Sequence, residues 1–264
     1  MIIYLSASNS WNLRILAEAG VRHVLISAGR LWQGHKFNLK MLLEAKRYGM
    51  HIILDSGAQQ FLTKLQHDYP RVYKAEYPRL DRYLDEDDFI VSLDLPCDLF
   101  PQQRWLYCVE QSVKNAIQMY DKIRNAKLMI AIQGYPKALD LYARFLELLY
   151  SEIGGHDVYA VGSVCIAEPY LVLRSVRFIR TLLGSQPYLH AFGPDLRTVP
   201  RIFSYCNSID TSMWMPVRKR IKFLRPCAGG LVGKPGIYTK PVFIRELNAF
   251  LRKYAPYIPL KRKA

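Results

Sequence analysis

Short apolar runs rich in β-branched residues alternate with longer amphipathic stretches about eight times along the first 216 residues. Each run is nearly continuous in hydrophobicity, which is typical of strands buried on both faces of a parallel sheet. The predicted strands are residues 2–6, 23–27, 51–55, 89–94, 128–133, 158–163, 188–192 and 207–210.

The stretches between these runs have helical periodicity, and Gly49 and Gly184 supply stop signals after two of them. Eight βα units in about 215 residues favour an α/β fold of the (βα)8 TIM-barrel type. An open flavodoxin-like sheet, the main rival, needs only five or six strands. We therefore expect a TIM-barrel catalytic domain over residues 1–216. Residues 217–264 would form a short basic C-terminal extension with a closing helix, part of the same domain.

The composition is that of a globular protein and not of a membrane protein. Half of the 264 residues are hydrophobic and 22% are charged, and no apolar run approaches the ~18 residues of a membrane span. The N-terminal stretch lacks the features of a signal peptide, so we expect a cytoplasmic protein, in the host cytoplasm if it is viral. The five cysteines are too widely spaced for a zinc knuckle, and we expect thiols.

Positive charge is concentrated at one end of the chain. Thirteen Lys and Arg residues against one acid, Glu246, lie between Pro216 and Ala264, which accounts for +12 of the net +15. Such a distribution is typical of a polyanion-binding surface, with a solvated tail as the alternative. The residues expected to contact a nucleic-acid backbone are Arg218, Lys219, Arg220, Lys222 and Arg225.

Polar residues end most of the predicted strands, at the face where TIM barrels carry their active sites. Asp55, Asp94 and Asp210 end the third, fourth and eighth runs, and Gln133 ends the fifth. One such aspartate is most simply a helix N-cap, but three carboxylates and an amide at one mouth exceed what packing requires.

Several chemistries lack their characteristic residues. No lysine ends a strand, which argues against a Schiff-base aldolase. The six histidines form no HxH or HxxxH pair, and no GxxxxGK[ST] loop is present. We therefore expect neither a metal site nor a cofactor.

Six motifs, one at each strand from the third to the eighth, carry a resemblance to a known family. They are LDSGAQQF (54–61), SLDLPCD (92–98), IAIQGY (130–135), YAVGSV (159–164), HAFGPD (190–195) and SIDTSMW (208–214). In this order the series resembles the tRNA-guanine transglycosylase superfamily, and is most similar to its DNA-directed branch, the DpdA-like proteins (deoxypurine in DNA protein A). The resemblance covers roughly residues 50–216.

The resemblance implies a pentosyltransferase that exchanges guanine in DNA for a 7-deazaguanine base of the preQ0 type. Asp210 would be the nucleophile that forms a covalent sugar ester, and Asp55 the general acid/base. Phe192 would stack on the base. The residues implied to bind the base are Ser56, Asp94, Gln133, Gly134, Gly162, Ser163, Phe192 and Gly193.

Two departures from the family pattern bear on the substrate. Ala58 and Gln59 stand where the DSG motif usually carries an aromatic, and the region after the eighth strand offers only Cys227 toward the zinc site of the tRNA enzymes. DNA is therefore favoured, with tRNA as the alternative polymer. A non-catalytic nucleic-acid-binding barrel and an unrelated barrel glycosidase remain open. The expected partners are a nucleic acid and the free 7-deazaguanine base. We expect no association with a membrane, and whether the protein forms a homodimer is left open.

Overall fold

Eight parallel strands close into a barrel in the computed structural model, which describes residues 1–62, 68–165, 167–215 and 240–258. Strand order follows chain order, and the last strand pairs with the first through partners such as Tyr4 and Asp210. The strands are β1 Ile2–Ala7, β2 His23–Ser27, β3 His51–Asp55, β4 Phe89–Val91, β5 Lys127–Ile132, β6 Val158–Val161, β7 Tyr188–Ala191 and β8 Ser208–Thr211. The predicted TIM-barrel fold is confirmed.

Helices follow the strands on the outside of the barrel, and the long ones bury one apolar stripe. In the seventh helix, for example, Tyr142, Phe145, Leu146 and Leu149 are buried at the spacing of a single helical face. The helices are α1 Ser10–Glu18, α2 Ala28–Leu31, α3 Lys40–Arg47, α4 Ala58–Leu62, α5 Arg71–Glu76, α6 Trp105–Tyr120, α7 Asp140–Ile153, α8 Pro169–Leu183, α9 Val199–Ile202 and α10 Lys240–Tyr254. Short 3-10 turns cover Tyr77–Tyr83, Cys97–Leu99, Gln102–Arg104, Leu196–Thr198 and Ala255–Tyr257.

Two strands end at least two residues earlier than the hydrophobic pattern predicts. β4 stops at Val91 rather than at residue 94, because the Tyr77 hydroxyl lies between β3 and β4, 3.0 Å from Leu54 O and 2.8 Å from Val91 O. β6 stops at Val161 rather than at residue 163, where Ser163 adopts a left-handed backbone with φ of 55°. Both strands therefore give way to loops at the barrel mouth, and polar residues occupy those loops.

The predicted closing helix lies within α10. Its Phe243 contacts Trp11 of α1 edge-on, with ring centroids 4.6 Å apart, and the buried Trp214 at 5.9 Å. No helix of the described residues is both long enough and apolar enough to cross a membrane. The five basic residues expected to contact a nucleic-acid backbone, Arg218 to Arg225, lie outside the described residues.

Candidate active site

A hydrogen-bonded chain of four buried side chains crosses the barrel mouth from the end of β3 to the end of β6. Ser56 Oγ donates to Asp94 Oδ1 at 2.6 Å, and Gln133 Nε2 donates to Asp94 Oδ2 at 2.5 Å. The Ser163 hydroxyl then donates to Gln133 Oε1 at 2.8 Å. Four residues singled out from four sequence motifs therefore form one polar surface, which we call the Asp94 network.

Burial dominates the electrostatics of this network. It raises the pKa of Asp94 from 3.8 to about 7, against the opposing effect of the Ser56 hydrogen bond, and the nearby Asp55 and Asp98 carboxylates raise it further. Asp94 therefore exchanges a proton near neutral pH. A carboxyl group in that range can switch between accepting and donating a hydrogen bond.

Two glycines leave room for side chains packed at the mouth, one of them in the network. A Cβ atom on Gly162 would lie 2.2 Å from Gln133 Nε2, and one on Gly134 would lie 2.5 Å from the Tyr142 ring. The Gly162 N–H already donates to Ile132 O at 3.0 Å. The lack of a side chain at Gly162 therefore provides the space for the Gln133 amide.

Three tyrosines spaced four residues apart support the network through hydrogen bonds from their hydroxyl groups. Tyr69 donates to Asp94 O at 2.9 Å and lies 3.1 Å from Ser56 Oγ, while Tyr73 donates to Ser56 O at 2.7 Å. Tyr77 binds the ends of β3 and β4 as described above, and the three rings stack 5.6 Å apart in succession. Burial raises the pKa of all three hydroxyls, which keeps them protonated as donors.

Asp55 is the last residue of β3 and faces the mouth beside the network. Its Oδ2 accepts a hydrogen bond from Gly57 N at 3.2 Å, within a turn where Gly57 has φ of +79° and a Cβ would lie 2.4 Å from Gly29 N. Burial raises the pKa of Asp55 to about 6. Hydrogen bonds from Ser27 and Gly57 oppose this rise, and the charge of Asp210 adds to it.

Asp210 lies on β8, where its carboxylate is held mainly by one oxygen. Gly193 N donates to Oδ1 at 2.7 Å, and His190 Nε2 lies 3.3 Å from the same atom. Oδ2 receives a longer contact, 3.4 Å from Ser6 Oγ. The side chain of Asp210 is 12% exposed, which leaves the carboxylate accessible from the mouth.

The predicted site residues therefore fall into two groups. Ser56, Asp94, Gln133 and Ser163 form the network, whereas Gly193 contacts Asp210 instead. Phe192 is half-buried after β7, with its ring centroid 4.9 Å from that of His190.

Sequence reasoning missed several residues at this mouth, among them Asp98. Its Oδ2 is 3.8 Å from the Cys165 thiol, while its buried Oδ1 has no hydrogen-bond partner among the described residues. Burial raises the pKa of Asp98 as well. The SLDLPCD motif contains this second aspartate. The four-residue spacing of Tyr69, Tyr73 and Tyr77 was a further available signal.

Comparison with known proteins shows the fold alone. No protein-family model matches this chain, and no curated protein matches it. Among solved structures it is similar to a protein assigned as a fructose-1,6-biphosphate aldolase from Coccidioides immitis, with a TM-score of 0.52 and 12% identity. The match covers 97% of this chain and 89% of that one. At this identity the likeness extends to the barrel and not to the chemistry.

The mouth holds the groups for a nucleophilic displacement with proton transfer. Asp210 supplies an accessible carboxylate oxygen, and Asp55 supplies a carboxyl group that binds a proton more tightly than an ordinary aspartate. Along residues 1–62, 68–165, 167–215 and 240–258, no three His, Cys, Asp or Glu side chains group as metal ligands would. The Asp94 network adds hydrogen-bond donors and acceptors at the same mouth.

Proposed function

We propose that this protein is a guanine transglycosylase that exchanges guanine in DNA for a 7-deazaguanine base. One observation carries the proposal: two carboxylates, Asp55 and Asp210, share a barrel mouth with the Asp94 network. Each of these residues also occupies its place in the strand-end motifs that resemble the transglycosylase superfamily.

The reaction proceeds through two displacements at the sugar C1′. Asp210 Oδ2 attacks C1′ as the bond from C1′ to guanine N9 breaks, and the leaving base takes up the proton that Asp55 carries. A sugar–Asp210 ester remains. The incoming 7-deazaguanine gives its N9 proton to Asp55 and attacks C1′, and the ester bond breaks to release the Asp210 carboxylate. As in retaining glycosidases, two inversions restore the original configuration.

The Asp94 network supports recognition of both bases by one pocket. Guanine and 7-deazaguanines share the same pairing edge, with N–H donors at N1 and N2 and an acceptor at O6. Asp94 can accept from those donors, while the Gln133 amide and the Ser163 hydroxyl can both donate and accept. The groups that contact this edge therefore need no rearrangement when one base replaces the other.

DNA as the polymer is supported by the sequence that follows β8. Between residues 216 and 239, Cys227 is the one Cys or His residue, so this segment lacks the ligand set of the zinc-containing tRNA enzymes. The same segment begins with a cluster of basic residues, and phosphate contacts of that kind position a polynucleotide without reading its sequence. A tRNA substrate remains the alternative.

The deciding experiment is base incorporation into defined polymers. The purified protein would be incubated with labelled 7-cyano-7-deazaguanine and, separately, duplex DNA, single-stranded DNA and tRNA. We expect label in DNA, and none with the Asp210→Asn variant. Label in tRNA alone would move the function to tRNA modification. A folded protein that binds nucleic acid yet incorporates no label into any polymer would contradict catalysis and favour a binding barrel.

A further inference from the structure

Four polar side chains form a hydrogen-bonded row inside the barrel that ends at Asp210. We call this row of Tyr188, Ser208, His190 and Asp210 the polar file. His190 on β7 is fully buried, with Nε2 3.3 Å from Asp210 Oδ1 and Nδ1 2.8 Å from Ser208 Oγ. The Tyr188 hydroxyl lies 2.7 Å from the same Ser208 oxygen. All four residues point inward because residues two apart on a strand share a face, and because His190 is in register with Ser208. Interiors of TIM barrels are usually filled by branched apolar side chains, so this file is unusual.

The hydrogen bonds of the file have only one consistent direction when His190 is neutral. The ionised Asp210 carboxylate can only accept, so His190 Nε2 must carry the ring proton. Nδ1 is then an acceptor, and the Ser208 hydroxyl must donate to it. Ser208 in turn accepts from Tyr188. Each member thus orients the next, and the order ends at the nucleophilic carboxylate.

Aromatic rings fix the plane of the His190 imidazole. Tyr4 meets it edge-on at 6.1 Å between centroids, with an interplanar angle of 81°. Phe192 meets it at 4.9 Å and 68°. The imidazole is therefore confined between these rings, and its Nε2 is directed at Asp210.

We propose that His190 is a positioning residue for the nucleophile: its Nε2–H donates to Asp210, and the Ser208 hydroxyl, itself bound by Tyr188, holds the ring through Nδ1. This inference rests on the proposed function, because it assigns the role through Asp210. His190 and the Gly193 amide together engage Oδ1. Oδ2, the oxygen with the longer contact to Ser6, is thereby presented to the sugar. A misplacement of about 1 Å in a reacting group can cost on the order of 10²-fold in rate.

The alternative is that the file only satisfies buried polar atoms. Under that alternative, Tyr188→Phe and Ser208→Ala would lower stability and leave the chemical step of the folded protein unchanged. Under the proposal, both variants slow formation of the sugar ester although neither residue touches Asp210. Matched controls are Tyr159→Phe and Ser175→Ala, which remove hydroxyl groups from buried residues of β6 and α8.

The first test does not depend on catalysis. Ring ¹⁵N chemical shifts, measured by NMR on the whole protein with labelled histidine, report which nitrogen of His190 carries the proton, and His190→Gln identifies the signal. We expect the Nε2–H tautomer in the wild type and also in Ser208→Ala, because the Asp210 carboxylate, which can only accept, is present in both. An Nδ1–H tautomer in the wild type would overturn the proposal even if the protein proves to be a transglycosylase.

The second test measures the rate of sugar-ester formation in a single turnover on the DNA substrate. We expect Ser208→Ala and His190→Phe to lower this rate by about 10- to 100-fold, with KM and DNA affinity within twofold of the wild type. His190→Gln, whose amide can replace the Nε2–H donor, should recover part of the loss. Equal rates for Ser208→Ala and Ser175→Ala would overturn the proposal. Absence of any ester in the wild type would instead contradict the proposed function, leaving the tautomer result intact.

Discussion

Gln133 lies 2.5 Å from Asp94, with the amide Nε2 directed at carboxylate Oδ2. The orientation of this amide is fixed from the other side, because its Oε1 accepts the Ser163 hydroxyl. The NH2 group must therefore face Asp94. The donors and acceptors of the Asp94 network are therefore oriented by contacts within the protein itself.

Asp94→Asn should change which base is accepted. The substitution replaces an acceptor by a group that also donates, and one of its orientations places an NH2 group against that of Gln133. We expect a loss of roughly 10²-fold in kcat/KM for guanine, because buried polar mismatches are costly. Competition between guanine and other purines would measure it, with Asp121→Asn at the exposed end of α6 as the control. Unchanged base preference would make Asp94 a structural residue.

Gly162→Ala should displace the Gln133 amide, because the new methyl would lie 2.2 Å from Nε2. We expect base affinity to fall at least about tenfold, while overpacking costs roughly 1–3 kcal/mol of stability. Equilibrium binding of guanine and urea unfolding separate these two effects. Gly155→Ala is the matched control, since a Cβ at Gly155 meets no atom within 4 Å. Normal base affinity in Gly162→Ala would show that the Gln133 position is not required.

Asp210→Asn should abolish base exchange and leave folding and nucleic-acid affinity nearly unchanged. The amide retains the size of the carboxylate but cannot form the sugar ester. We expect less than about one-hundredth of the wild-type rate, the loss expected when covalent catalysis is removed. Denaturing gels with labelled DNA would detect the trapped ester in the wild type alone. Activity above that threshold would move the nucleophile to Asp55.

Stability should fall as pH rises through about 6, because burial raises the pKa of Asp55 from 3.8 to about 6. The folded state binds this proton more tightly than the unfolded state. Its contribution to the free energy of unfolding is therefore complete at pH values below the unfolded-state pKa, and it is lost as the pH rises through the folded-state pKa. In Asp55→Asn this contribution disappears. Urea unfolding at pH 5 and pH 8 should show the wild type losing about 1 kcal/mol more than the variant. A parallel pH dependence in both proteins would exclude the raised pKa.

Neutralising Arg218, Lys219 and Arg220 together should weaken polynucleotide binding and flatten its salt dependence. Each lost phosphate contact lowers the slope of log affinity against log salt by about one, so we expect a reduction of roughly two to three. Exchange at saturating substrate should fall much less. The matched control neutralises Lys114, Lys122 and Arg124, which are exposed on α6 and in the turn before β5. Identical slopes in the wild type and the first variant would exclude these residues from the interface.

The barrel was predictable because each buried strand has a near-continuous apolar run, and β2 and β3 have the predicted bounds. The position of the strand-end aspartates follows from the same pattern. The early end of β4 was not predictable in this way. It depends on the Tyr77 hydroxyl reaching the carbonyls of Leu54 and Val91, which is a tertiary contact.

Sequence reasoning identified residues of the site but not the contacts between them. Hydrophobic periodicity places His190 in a strand, but its approach to Asp210 depends on the register of β7 against β8, which no local pattern specifies. The link from Ser163 to Gln133 joins residues 30 positions apart. Such links follow from closure of the barrel.

Closure of the barrel also determines when the carboxylates of Asp55 and Asp210 can come to the same mouth. Asp55 ends the third strand, whereas Asp210 belongs to the eighth and is fixed beside β1, where it pairs with Tyr4 and contacts Ser6. A chain emerging from the ribosome therefore carries Asp55, the proposed acid/base residue, long before Asp210, the proposed nucleophile, and contacts between residues so distant in sequence form late in folding. Nascent chains and proteolytic fragments that lack β8 would therefore lack the proposed nucleophile.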